Sequence, residues 1–111
     1  MAGNETFHFD DFTLDVRERR LLRGKEVVRL SPKAYDVLVA LVQQRGRLIT
    51  KDELLKRLWP ESFVEEGSLN VHVSALRKAL GEDARRPAYI ETVARSGYRF
   101  IAGVTCDEAI P

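Results

Sequence analysis

A single cysteine, Cys106, stands in the 111-residue chain, so no internal disulfide can form and a reducing compartment is acceptable. No helix or basic cluster surrounds it in sequence, which makes it an incidental thiol rather than a nucleophile. The two histidines, His8 and His72, lie far apart without neighbouring Cys or His, so no metal site is expected. A glycine-rich phosphate loop and a Gly-x-Ser-x-Gly elbow are both missing. The acidic neighbours Asp10-Asp11 and Glu65-Glu66 would point apart on a strand or a helix, and so do not supply opposed carboxylates. No catalytic residue and no cofactor is expected. No apolar run approaches the roughly 20 residues of a membrane span, and the N-terminus lacks a signal-peptide pattern. The expectation is a cytoplasmic domain without membrane contact of its own.

A hydrophobic content of 44% over this length describes one globular domain with a single core. The net charge of +1 is uninformative, but its distribution is not. Ser68 to Arg99 carries Arg77, Lys78, Arg85, Arg86, Arg95 and Arg99 against Glu82, Asp83 and Glu91. Asp52 to Glu66 runs the other way, with Asp52, Glu53, Glu61, Glu65 and Glu66 against Lys56 and Arg57. One surface should be basic and another acidic.

Near the N-terminus, Phe7, Phe9, Phe12 and Leu14 form a strand-like segment broken at Asp10-Asp11, and Leu21-Leu22 and Val27-Val28 flank Gly24-Lys25. These predict a small antiparallel sheet with a hairpin at Gly24. Ser31-Pro32 opens a helix, serine capping and proline in the first turn, with Tyr35, Leu38, Leu41 and Val42 as its buried stripe and Gly46 as its end. Thr50-Lys51-Asp52-Glu53 has capping-box spacing and opens a second helix, which Pro60 stops.

From Ser68 a third helix follows, with Leu69, Val73, Leu76 and Leu80 on one stripe. Val71, Ser74, Ala75 and Lys78 occupy the opposite direction, with Asn70, His72 and Arg77 on the flanks. Taken alone, this describes any solvated surface helix. Small residues at the centre of a face also let it approach base edges, while longer cations at its rim reach phosphates. Tyr89 to Val93 and Tyr98 to Ile101 then alternate as two antiparallel strands. Ser96-Gly97 supplies turn chemistry, with Gly97 expected at positive φ and Arg95 held at the tip, where a phosphate or minor-groove contact is open to it.

Leu30 to Leu38, Gly46 to Leu55, Leu58-Trp59, Val71 to Leu80 and Thr92 to Phe100 together resemble the winged-helix DNA-binding domains of the OmpR/PhoB type. The order and spacing of these motifs carry the resemblance, which covers nearly all of Phe7 to Val104. It implies an α+β winged helix-turn-helix with an N-terminal antiparallel sheet, three helices and a C-terminal β-hairpin wing. The domain is expected over 7–104, between an N-terminal tail at 1–6 and a C-terminal tail or linker at 105–111. The implied function is sequence-specific binding of double-stranded DNA for regulation of transcription, the recognition helix in the major groove and the wing on the minor groove or backbone. Candidate contacts are Lys51, Trp59, Ser68, Asn70, Val71, His72, Ser74, Ala75, Arg77, Lys78, Thr92, Arg95 and Arg99. The resemblance also implies direct-repeat half-sites filled by tandem copies of a protein that is monomeric in solution. It further implies a contact with RNA polymerase through the loop Pro60 to Glu66.

Two features depart from the family pattern. Ser74 and Ala75 stand where many members carry arginines, so base recognition should differ. Ala94-Arg95 replaces the usual arginine-glycine order in the wing, which shifts the guanidinium by one residue. Because only six residues precede Phe7, the expected relatives are regulators with an N-terminal winged helix, as in the ToxR/CadC group, rather than those with a receiver domain in front. The alternative function is a winged-helix module that binds protein and not DNA; Arg77 and Lys78 on the exposed helix face speak against it.

Overall fold

The structure, a computed structural model, describes residues 6–61, 64–82 and 88–107. Four short strands, β1 (Thr6–Phe9), β2 (Phe12–Asp15), β3 (Arg20–Arg23) and β4 (Glu26–Val28), form an antiparallel meander. The alternation of apolar residues is what makes it a sheet: Phe7, Phe9, Phe12, Leu14 and Leu21 are all buried on one face. Asp10, at φ 54°, turns β1 into β2, and the rings of Phe9 and Phe12 stack 5.3 Å apart across that turn. The hairpin at Gly24 forms as its sequence predicts.

The sheet has a fifth member. Strand β8 (Thr105–Asp107) pairs antiparallel with β1, giving the order β4-β3-β2-β1-β8. Strand β8 begins directly after Val104, in the residues expected to be a C-terminal tail or linker. A three-residue strand held by backbone bonds to an edge has too little alternation to be legible in advance.

Helix α1 (Pro32–Gln43) starts where Ser31 Oγ accepts from the Ala34 N–H, with proline in the first turn. It ends at Gln43 without Gly46 as its cap: Gly46 instead donates its N–H to the Phe100 carbonyl and leads into β5 (Leu48–Thr50). Helix α2 (Lys51–Leu58) is capped by Thr50, whose Oγ1 accepts from the Glu53 N–H at 3.1 Å. Helix α3 (Glu66–Leu80) begins two residues before Ser68, behind Glu65, whose side chain makes no capping bond.

Strands β6 (Ile90–Val93) and β7 (Gly97–Phe100) are the wing hairpin, and β5 completes a three-stranded sheet of order β5-β7-β6. That third strand was hidden in Leu48-Ile49-Thr50, which reads in sequence only as the approach to a helix cap. One core joins both sheets to all three helices, with Leu38, Leu41, Leu54, Leu69, Leu76, Ile90 and Phe100 at its centre. No helix among the described residues is long and apolar enough to cross a membrane.

Candidate nucleic-acid interface

Burial of Leu69, Val73, Leu76 and Leu80 fixes the roll of α3 about its axis. The opposite face is thereby exposed and carries Ser68, Asn70, Val71, Ser74, Ala75 and Lys78. Val71 is 65% accessible, an apolar side chain left open to water. The Tyr98 hydroxyl donates to Asn70 Oδ1 at 2.6 Å, which ties α3 to β7 and leaves the Asn70 amide N–H groups as that side chain's donors. His72 is half-buried, its ring 5.7 Å from the Trp59 ring. Trp59 is also half-buried, at the end of α2, where Lys33 Nζ lies 5.0 Å above the indole and donates to the Leu58 carbonyl. His72 and Trp59 thus form one block at the rim of the α3 face.

The cations expected on α3 and the wing, Arg77, Lys78, Arg95 and Arg99, divide into two kinds. Arg77 turns away from the exposed face toward the wing: its Nη2 donates to the Ile90 carbonyl at 2.9 Å and to Thr92 Oγ1 at 2.6 Å. Its Nε lies 3.5 Å from Glu82 Oε2. Arg99 is held across the hairpin by Glu91 at 2.9 Å. Lys78 and Arg95 make no ion pair among the described residues and point to solvent. Arg85 and Arg86, counted in the basic surplus, and Asp83, counted against it, lie outside the described residues.

At the wing tip, Ala94, Arg95 and Ser96 are exposed, and Arg95 takes φ 64°. The expectation for Gly97 is corrected here. Its φ is not positive; what it provides is space, because a Cβ at Gly97 would overlap the Ile49 carbonyl oxygen and lie 2.8 Å from Thr50 Cα. The turn is closed by the Ser96 N–H on the Val93 carbonyl. The Lys51 N–H, in the first turn of α2, donates to the Ser96 carbonyl at 3.0 Å. Lys51 is therefore brought beside the wing tip, a juxtaposition that sequence separation conceals.

Acids at the start of α2 lie beside cations. Asp52 pairs with Lys56 at 3.0 Å, and Glu53 lies 3.9 Å from Arg47. Glu61 and Glu65 remain exposed in the loop Pro60 to Glu66, of which Ser62 and Phe63 lie outside the described residues.

Sequence reasoning missed two anchoring groups. The Glu82 carboxylate, counted as a surface acid, is fully buried. Tyr89, 8% exposed, donates its hydroxyl to Asp10 Oδ2 at 2.6 Å and so links the start of the wing sheet to the β1–β2 turn. Burial, followed by the hydrogen bond to the Asp10 carboxylate, pushes the Tyr89 phenol up to about 12. A Glu that binds backbone amides and a Tyr that binds a residue far away in sequence leave no local pattern to read.

Comparison with known proteins places this arrangement. Residues 24–100 match the family model described as "Transcriptional regulatory protein, C terminal". The chain is 42% identical over 99 residues to the transcriptional regulator HilA of Salmonella typhi, covering 89% of this chain and 18% of HilA. It is 34% identical over 101 residues to the KDP operon transcriptional regulatory protein KdpE of Escherichia coli, covering 90% of this chain and 45% of that protein. The chain thus spans under half the length of these curated relatives. Among solved structures, the Klebsiella pneumoniae RstA DNA-binding domain in complex with the RstA box superposes with a TM-score of 0.76 at 34% identity, covering 86% of this chain and 96% of that one. The DNA-binding domain of Escherichia coli CadC gives 0.78 at 28% identity over 94% and 98% of the two chains. With these elements in this order, the chain belongs to the OmpR/PhoB-type family of winged-helix transcriptional regulatory domains.

Proposed function

We propose that this domain binds double-stranded DNA sequence-specifically and thereby regulates transcription, with α3 in the major groove and the wing tip on the adjacent minor groove or backbone. The observation that carries this is the outward face of α3, where Val71, Ser74 and Ala75 are short and exposed and Lys78 makes no ion pair among the described residues. Short side chains let a helix axis come close to base edges. Val71 suits a thymine methyl, and the Asn70 amide suits a base or phosphate acceptor. Lys78 and Arg95 serve as the principal phosphate contacts, with Lys51, Ser68, His72, Trp59 and Thr92 along the rim. Arg77 and Arg99 act chiefly through the partners they already hold. The DNA complex of the RstA domain supports this reading.

Duplex DNA as ligand sets the compartment, since the domain must face the cytoplasm that holds the chromosome. Two copies, monomeric when free, occupy direct-repeat half-sites about 10 base pairs apart, so that both recognition helices address one side of the duplex. The exposed acids Glu61 and Glu65 in the loop Pro60 to Glu66 mark the surface offered to RNA polymerase.

Selection from random duplexes followed by an anisotropy salt titration tests the reading. Enrichment of a direct repeat is expected, together with affinity that falls with salt at a slope near −2 per copy if Lys78 and Arg95 each neutralise one phosphate, at about −0.9 each. No binding to any selected duplex at low salt would overturn it and favour a protein-binding module.

A further inference from the structure

The last turn of α3 ends in a motif that delivers a carboxylate into the protein. Gly81, at φ 73°, donates its N–H to the Lys78 carbonyl, and Glu82 donates its own to the Arg77 carbonyl at 2.9 Å. This pair of bonds is a Schellman ending, and the left-handed residue at its centre reverses the chain so that Glu82 folds back beside Arg77. The Glu82 side chain is 0% exposed. Its Oε1 accepts three backbone N–H groups, from Ala88 and Tyr89 at 2.6 Å, just before β6, and from Ile90 at 3.0 Å, its first residue. Its Oε2 faces the Arg77 guanidinium, and Arg77 in turn binds Ile90 and Thr92 of β6. A buried charge without such partners would be strongly unfavourable, so the two charges and the strand order one another.

We propose that Glu82 and Arg77 are positioning residues for DNA recognition: they lock the recognition helix to the root of the wing, so that α3 and the tip at Arg95 address adjacent grooves as one rigid unit. This rests on the DNA-binding reading above. The recognition helix and the wing are connected through residues 81–89, and the carboxylate bridges the two ends of that connection. With the clamp in place, engagement of α3 brings the wing to its contact at no further ordering cost; without it, that ordering must be met at binding. Arg77 belongs to this clamp rather than to the phosphate contacts.

The test is a double-mutant cycle on the selected duplex, using Arg95→Ala to report wing engagement. In the parent, Arg95→Ala is expected to weaken binding severalfold. In a Glu82→Ala background, which itself weakens binding about tenfold and lowers the salt slope by about 1 as the wing contact is lost, the Arg95 effect should shrink toward none. Arg77→Lys keeps the charge but cannot span Ile90, Thr92 and Glu82 together, and should behave like Glu82→Ala. If Glu82→Ala does not fold, Glu82→Gln retains an acceptor for the amides while losing the charge that faces Arg77, and should show a smaller effect of the same kind. Amide exchange in the free protein decides the point independently of DNA: Ala88, Tyr89, Ile90 and the wing should exchange faster in the Glu82 variant while α1 stays protected. A parent that binds no duplex would sink the DNA reading yet leave the exchange result to judge the clamp. An undiminished Arg95 effect, or unchanged wing exchange, would overturn the clamp.

Discussion

At the tip of the wing Arg95 stands exposed with φ 64°, and two residues further on Gly97 is buried against the backbone of β5. Chemically the arrangement is inverted from what turn preferences suggest, since the glycine sits in an ordinary conformation and a long cation takes the left-handed one. The difference is between what each end must satisfy. Below the tip the sheet is packed and hydrogen-bonded, and Gly97, the first residue of β7, is required because β5 passes too close for a side chain. At the tip the Arg95 side chain meets solvent, and its left-handed conformation, which costs about 1 kcal/mol, is held by the bonds of Ser96 to the Val93 carbonyl and the Lys51 N–H on either side of the turn.

Breaking the packed sheet should have the largest effect. Gly97→Ala forces a Cβ into the Ile49 carbonyl and should destabilise by about 3 kcal/mol, lowering the melting temperature by roughly 10 °C or more. A calorimetric scan within a degree or two of the parent would show that β5 and β7 can separate cheaply.

Next in size is the pH response of the root. Tyr89, raised from 10.0 to about 12 in the folded state, holds its proton more tightly there than in the unfolded chain. Its contribution to stability is therefore complete below pH 10.0 and is lost as pH climbs through about 12. Denaturant unfolding across that window should show a loss that Tyr89→Phe lacks. Equal slopes in parent and variant would mean that the bond to Asp10 does not hold the phenol.

At the tip the expected changes are smaller and opposite in sign for folding and binding. Arg95→Gly relieves the left-handed strain and should stabilise by about 1 kcal/mol, while Arg95→Ala should leave stability nearly unchanged. Both should weaken DNA binding and reduce the salt slope by about 1. Thermal melts and salt-dependent affinity on the same preparations check this; lost stability with intact affinity would make Arg95 a structural residue.

The smallest change in stability should come from the face of α3. Val71→Ala removes methyl groups that are mostly in water, so its effect on folding should stay within about 0.5 kcal/mol. Repeating site selection with this variant should relax preference at one A·T position. An identical consensus would remove Val71 from the base contacts.

Periodicity by itself determined the stripe Leu69-Val73-Leu76-Leu80, and with it which face of α3 is outward, because burial of an apolar stripe leaves the roll of a helix no freedom. Local chemistry likewise determined the caps at Ser31 and Thr50 and the Gly24 hairpin, where each bond joins residues at most three apart in the helix caps or adjacent strands in the hairpin. What only the tertiary structure decided were interactions between segments distant in the chain. The pairing of β8 with β1, the close passage of β5 by Gly97 and the bond from Tyr89 to Asp10 are of this kind. The division of the cations is another: Arg77 and Lys78 are neighbours with the same charge, yet one turns to Glu82 and β6 while the other faces water. Sequence fixes a residue's chemistry and its place on a helix, but whether a charge is free to meet a ligand depends on which partner the fold carries within reach.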